Sequence, residues 1–357
     1  MPWVQRRSPG RGDRMRCLRH GDPRPTSRPD RTPGRSAARR RRTRLRVEAL
    51  SFYLTVVGGI ALVAAFALLI THLALLGSND RALRAPLTAS LAPHSAISGS
   101  LGRALHGGDV EESERRSFAG DAGGAMLSVG TLAIGVSLLL RAIIVGRGPW
   151  GNLYEFSIAF AFGICAATIY FDRRGRLRAL GVIAIGIALG LLAYAATLPN
   201  EVTELVPALQ HPLLLTIHVG LAMLSYGIFA FAFAAGVAHL MQGDQDRYRW
   251  LPSAKRLDQI AFQAVSVGFP LFAGMLILGS IWASIAWSRF WGWDPKETAA
   301  LATWLIYAVY LHARSQRGWQ GRPAALLLVV GFVAVLVTYS GNLWFSGLHT
   351  YSGLPTP

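Results

Sequence analysis

Eight apolar stretches recur along the chain, at 53–76, 126–145, 153–171, 177–198, 213–240, 264–287, 298–312 and 324–344, each closed by charged or turn-forming residues. A helix needs about 20 predominantly apolar residues to cross a bilayer, so the pattern predicts an all-α, polytopic membrane bundle of about eight transmembrane helices. The stretch at 298–312 is short for a span unless the turn before it adds length. Asp294 as N-cap, Pro295 at the first helical position and Glu297 closing a capping box would start that helix early.

Composition agrees with the membrane class, since 52% of the 357 residues are hydrophobic and 15% charged. The net charge of +17 suggests a nucleic-acid partner until it is located: residues 1–46 hold sixteen Arg against three Asp. That Arg-, Pro- and Gly-rich segment has too little apolar surface to fold and is expected to be disordered, and no nucleic-acid partner is expected. Three regions follow: the Arg-rich tail 1–46, a first transmembrane helix with a long loop over 47–125, and the membrane domain proper over 126–352.

Loop charges orient the bundle, because cytoplasmic loops carry the excess of Lys and Arg. The loops after the first, third, fifth and seventh stretches hold sixteen basic residues, and those after the others hold Arg147, Arg289 and Lys296. The first set is expected to be cytoplasmic and the segment around 282–297 extracytoplasmic. Eight spans then place sixteen arginines of the amino-terminal tail outside, against the same rule. With no methionine between Met15 and Met126, a non-methionine start near Val47 is the expected resolution, and the tail does not resemble a signal peptide.

Several chemistries lack support. Cys17 and Cys165 form no CxxC pair, and no GxxxxGK[ST], HExxH or GxSxG sequence occurs, which argues against thiol exchange, nucleotide hydrolysis, zinc proteolysis and serine hydrolysis. The dense feature lies elsewhere: Trp282, Trp287, Trp291, Trp293 and Asp294 fall within thirteen positions. Tryptophans gather at membrane interfaces without any ligand, yet four beside a charged turn exceed an ordinary belt. Their π-faces suit a flat aromatic ligand with apolar and charged parts, and haem is such a ligand.

Histidine depth sharpens the reading. His218 is the sixth residue of the 213–240 stretch, about 8 Å from its outer end at ~1.5 Å per residue, and His349 follows the last stretch. One precedes the tryptophan segment and one follows it, both on its side of the membrane, so both can converge on it. Two neutral imidazoles can hold haem iron axially. His211 competes with His218. His72, His239 and His312 belong near inner helix ends, and snorkelling to the interface is the expected role of the first two. Glu155 is expected to pair or anchor, while Arg141 is open between that pairing and a propionate.

These residues resemble the WWD signature of haem-handling proteins, and in particular the CcsA (ResC) family of the system II cytochrome c synthase. PWGNLYE at 149–155 resembles the family's PLSNLYES, followed in order by VPALQ at 206–210, HV at 218, Tyr226, His312, GN at 341–342 and GLHTY at 347–351. The resemblance covers about 126–352. It implies that His218 and His349 ligate haem b, both substrate and bound ligand, at an outer site lined by Trp282, Trp287, Trp291, Trp293 and Asp294. It also implies that His312 serves an inner haem site whose other ligand comes from a CcsB (ResB) partner, a place not given to His72. Haem, apocytochrome c and membrane lipid are the remaining expected partners, and the bacterial plasma membrane the expected location. Phe156 stands where the family has Ser, Ser288 where it often has Gly, and the segment from Gln210 to His218 is one residue longer.

The function so implied is presentation of haem for thioether attachment to CxxCH thiols, as a subunit of holocytochrome c synthase. A haem-delivery protein of the CcmC type, without ligation activity, is the alternative. A di-haem electron carrier is the weakest reading, because His218 and His239 on one helix stand about 32 Å apart without paired ligands on a facing helix.

Overall fold

The computed structural model describes residues 33–84, 117–173, 177–202, 212–243, 245–248, 250–316, 318–345 and 347–349. Eight helices follow in order: α1 Pro33–Arg84, α2 Phe118–Val145, α3 Leu153–Phe171, α4 Arg178–Ala195, α5 Pro212–Gln242, α6 Ala254–Trp287, α7 Pro295–Gln316 and α8 Arg322–Trp344. No strand occurs among the described residues. All but α7 are long and apolar enough to cross a membrane, and the protein is a multi-pass, all-helical membrane bundle. The capped turn does lengthen α7, whose 22 residues span about 33 Å at ~1.5 Å per residue. Composition is what sets it apart, since Lys296, Glu297, His312 and Arg314 lie within its bounds.

Three expectations are corrected. The segment 33–46 is helical, as the start of α1, because Ala and Arg are strong helix formers and an existing apolar helix extends without a new nucleation step; Arg44 Nε adds an i,i+4 bond of 3.1 Å to Glu48. By its contacts the chain divides between Arg42 and Thr43, and residues 1–32 lie outside the described residues. Helix α2 starts at Phe118 rather than near 126, with the Ser117 hydroxyl accepting from the Gly120 amide and Asp121 in its first turn. Finally, His72 and His239 do not snorkel: both are buried. His239 donates its Nδ1 hydrogen to the Ala254 carbonyl at 3.0 Å, and His72 lies beside the charges of Arg178 and Asp121, which are bonded to each other.

Helix α5 is apolar on all sides, as a helix enclosed by others must be, and it packs against α3, α4, α6 and α8. Hydrocarbon tails are as apolar as leucine, so close packing rather than water exclusion holds such helices together. Aromatic rings supply much of it: Phe229 stacks on Tyr307 of α7 at 3.8 Å between centroids, Phe231 on Phe171 of α3 at 4.9 Å, and Phe233 on Phe332 of α8 at 4.7 Å. Such pairs contribute roughly 0.5–1.5 kcal/mol each beyond area burial. Polar clasps add to them, among them Ser157 with Tyr339 at 2.6 Å and Thr303 with Thr338 at 3.0 Å.

The α3–α5 crossing depends on two residues without side chains. A Cβ at Gly227 would stand 2.3 Å from the Gly163 carbonyl carbon, and one at Gly163 would stand 2.5 Å from the Met223 carbonyl oxygen. Backbone cannot yield as a flexible side chain can. Gly227→Ala should therefore destabilise the detergent-purified protein by about 1–3 kcal/mol, read as a lower melting midpoint. Gly190→Ala, at a position with open space around the added methyl, should leave the midpoint unchanged or raise it slightly. Equal midpoints for Gly227→Ala and the parent would show that these two helices part without cost.

Candidate functional site

The turn between α6 and α7 carries the tryptophan segment, and its geometry is fixed by Asp294. As N-cap, Asp294 accepts at Oδ1 from the Lys296 amide at 2.9 Å, while Glu297 Oε2 accepts from the amides of Gly292 at 2.8 Å and Asp294 at 3.2 Å. The capping box read from the sequence is thus present. The same carboxylate also reaches the segment after α8: Oδ2 accepts from the Leu348 amide at 2.6 Å, and Oδ1 accepts from His349 Nδ1 at 2.8 Å. Burial pushes the Asp294 carboxyl up, but His349, by hydrogen bond and by charge, together with the two amides outweighs it and holds the group down at about 2. It is a carboxylate at any physiological pH.

His218 is held in the same manner from another direction. Its Nδ1 lies 2.9 Å from the Met275 carbonyl of α6, and a carbonyl only accepts, so Nδ1 carries the hydrogen and the lone pair of the neutral ring sits on Nε2. The ring can lie against α6 because residue 279 is glycine; a Cβ there would stand 2.7 Å from His218 Cε1. By the same reasoning the neutral His349 ring, with Nδ1 donating to Asp294, carries its lone pair on Nε2. Second partners of this kind fix the tautomer and orientation of a metal-binding imidazole.

Both imidazoles line one partly open cleft, walled mainly by apolar and aromatic side chains with a few polar groups, as ligand sites are. Trp282 lies next to both: His218 stacks on it at 6.4 Å and 15°, and His349 lies 5.9 Å away at 50°. Trp287 meets Trp282 edge-on at 4.7 Å and His349 at 4.9 Å. Trp291 also lines the cleft. Trp293 is not among its lining residues; it stands perpendicular to Trp291 and is 70% exposed, turned outward by a left-handed backbone at φ 55°. Asp294 acts from behind His349.

Sequence reasoning missed much of the remaining wall. Trp150, Asn152 and Phe156 form it around the start of α3, Met275 lies beside His218, and Tyr226 of α5 and Lys296 at the start of α7 complete it. The PWGNLYE motif was a signal for Trp150 and Asn152, since Asn152 caps α3 by accepting from the Glu155 amide at 2.8 Å. Behind this wall Arg141 and Glu155 pair at 3.1 Å, both 1% exposed. Arg141 also donates to the Asn200 carbonyl at 2.7 Å and Glu155 accepts from the Gly151 amide at 2.9 Å. The expected pairing of Glu155 is found, and Arg141, left open, is its partner. Burial pulls the Arg147 guanidinium pKa down while Glu155 pulls it up.

His312 is exposed on α7, about 25 Å along the axis from Pro295 at ~1.5 Å per residue, and has no part in the cleft. His211 and 206–210 lie outside the described residues. Among the described residues no group of three or more His, Cys, Asp or Glu could hold a bare metal ion. Two oriented imidazoles with aromatic walls fit instead a metal already held by four nitrogens of a flat macrocycle, and the Trp282 indole N–H, buried without an acceptor, lies in such a wall.

The chain matches the cytochrome C assembly protein family over residues 150–349. The cytochrome c biogenesis protein CcsA of Gloeothece citriformis is 35% identical over 285 residues, covering 64% of this chain and 87% of that protein. CcsA of Microcystis aeruginosa is 34% identical with the same coverage, and CcsA of Synechococcus elongatus is 34% identical over 282 residues, 64% and 86% of the two chains. Among solved structures, Cytochrome c Heme Lyase CcmF shares the fold with a TM-score of 0.52 at 16% identity, across 80% of this chain and 46% of that one. The chain belongs to the cytochrome c assembly family, among the CcsA cytochrome c biogenesis proteins.

Proposed function

We propose that this chain is the haem-handling subunit of a system II cytochrome c synthase, presenting haem b at the extracytoplasmic face of the bacterial plasma membrane for attachment to a CxxCH apocytochrome c. The observation that carries the reading is the pair His218 and His349, each with Nδ1 bonded to a fixed acceptor and both beside Trp282 in one cleft. Family membership supports the haem chemistry. Each haem vinyl group takes up one cysteine thiol, the sulfur bonding to one vinyl carbon and the hydrogen passing to the other, so no nucleophile is required of this chain.

The chain's own residues bind and orient. His218 and His349 would offer Nε2 to iron from two sides, Asp294 holding the second in register. Trp282, Trp287 and Trp291 would cover the macrocycle and exclude water, while Trp293 is assigned to the rim. A CcsB-type partner and an inner site at His312 complete the proposal. Co-expression with such a partner and a reporter apocytochrome, in cells without their own maturation system, tests it. Covalent haem on the reporter supports ligation; haem retained on this chain without product would favour the CcmC-type delivery reading.

His218→Ala or His349→Ala should reduce reporter maturation by tenfold or more, with partial recovery on adding imidazole, which can fill a vacated axial place. Trp291→Ala should weaken haem retention without imidazole rescue. An unchanged absorption spectrum in the purified double histidine variant would sink the assignment.

The Asp294 clasp makes a pH prediction. A carboxyl held below its ordinary value contributes stability fully present above about 4 and lost as pH falls through about 2. The haem spectrum should therefore stay constant from pH 8 to about 5 as far as Asp294 is concerned. Asp294→Asn should behave like a partial His349 lesion at neutral pH, detected as increased displacement of the native ligand by added imidazole; indifference to that substitution would separate His349 from Asp294.

Orientation rests on the sixteen-to-three division of basic loop residues. A cysteine at Ser288 should react with a membrane-impermeant reagent in intact cells and one at Ser315 should not. Reversed labelling would put the cleft on the cytoplasmic side.

A further inference from the structure

Lys296 is the only Lys or Arg among the described residues lining the cleft. A lysine in the first turn of a helix near an interface ordinarily extends its ammonium into water. Here the side chain crosses toward α3, with Nζ 5.4 Å from the centroid of the Phe156 ring. The ring face attracts the cation but accepts no ordinary hydrogen bond from it. Among the described residues the ammonium forms no hydrogen bond and no ion pair.

The neighbouring carboxylates are committed elsewhere. Asp294 serves the amides of Lys296 and Leu348 and the His349 ring, and Glu297 Oε2 serves the amides of Gly292 and Asp294. Burial lowers the Lys296 pKa to about 8, with Asp294 opposing, so the ammonium is still mostly charged at neutral pH. A partly desolvated cation with three donors and no acceptor is costly to keep. An anionic group on the ligand would relieve that cost.

The inference rests on the haem reading above. Axial imidazoles and aromatic faces fix the plane of a macrocycle but not its rotation about the axis through the metal. An off-axis charged group can fix it, and the charged edge groups of protohaem are its two propionates. We propose that Lys296 is a positioning residue that pairs with a propionate at the Phe156 wall of the cleft. The propionate edge is thereby held toward α3, and the edge bearing the vinyl groups is turned away from that wall.

The test compares retention of protohaem and of its dimethyl ester, which lacks the carboxylates, on the detergent-purified full chain, read by Soret absorption. Wild type should retain protohaem about tenfold better than the ester, as expected for a charge-assisted contact. Lys296→Gln should lose that preference by binding protohaem about tenfold more weakly and the ester unchanged, and Lys296→Arg should keep most of it. Unchanged ester binding also reports an intact fold. Equal protohaem retention by wild type and Lys296→Gln, or equal losses for both tetrapyrroles, overturns the inference alone; the second result is also what a lysine holding a lipid phosphate, or serving only structure, would give. Retention of neither tetrapyrrole by wild type overturns the haem reading and this inference with it.

Discussion

One carboxylate ties the cleft end of this bundle together. Asp294 caps α7 and receives the Leu348 amide and the His349 ring from the segment after α8. In water a short loop can leave its amides to solvent, but within a protein cleft each unpaired donor is expensive. The turn after α6 and the segment after α8 therefore share one acceptor. Because the two segments lie more than fifty residues apart in the chain, their junction requires α7 and α8 to lie side by side, which the Thr303–Thr338 bond and their packing provide. The position of His349 follows from these contacts as much as from its own.

The second anchoring point works by removal of bulk rather than addition of a bond. Gly279 gives the His218 ring a surface to lie on, and the Gly163–Gly227 crossing draws α3 against α5, the helix that carries His218. The cleft is thereby bounded by α3, α5, α6 and α7 together, and no single helix holds more than part of its wall. Its tightest features are backbone approaches, consistent with assembly driven by packing in a medium without hydrophobic contrast.

Legibility in the sequence followed periodicity and chemistry. The eight apolar stretches, the Asp294–Glu297 cap and the placing of His218 and His349 beside the tryptophans were readable, because length, capping signals and residue type are local properties. The Glu155 pairing was readable from a buried-charge argument, but its completion by Arg141 was not, since either a ligand or a neighbour satisfies the same need. Lys296 read as a loop charge; only the path of its side chain toward Phe156 shows that it faces the cleft. Trp293 read as one of four equivalent tryptophans, and a single left-handed residue turned it outward. His72 and His239 read as interfacial because depth along a helix is visible in sequence and direction around it is not. The helical run from Pro33 was hidden by its charge, which masks good helix propensity.

Helix α7 has consequences for how the protein is made. It lacks the apolarity of the other seven, so lipid alone gives it little reason to stay in the membrane, and its hold comes from packing against α6 and α8 and from the Phe229–Tyr307 stack on α5. Since α8 and then His349 emerge from the ribosome after it, the clasp on Asp294 can close only when α8 has been synthesised and has folded back. A nascent chain therefore carries His218 and the tryptophans for some time without the second histidine. The order of synthesis thus makes His349 the late-arriving half of the pair.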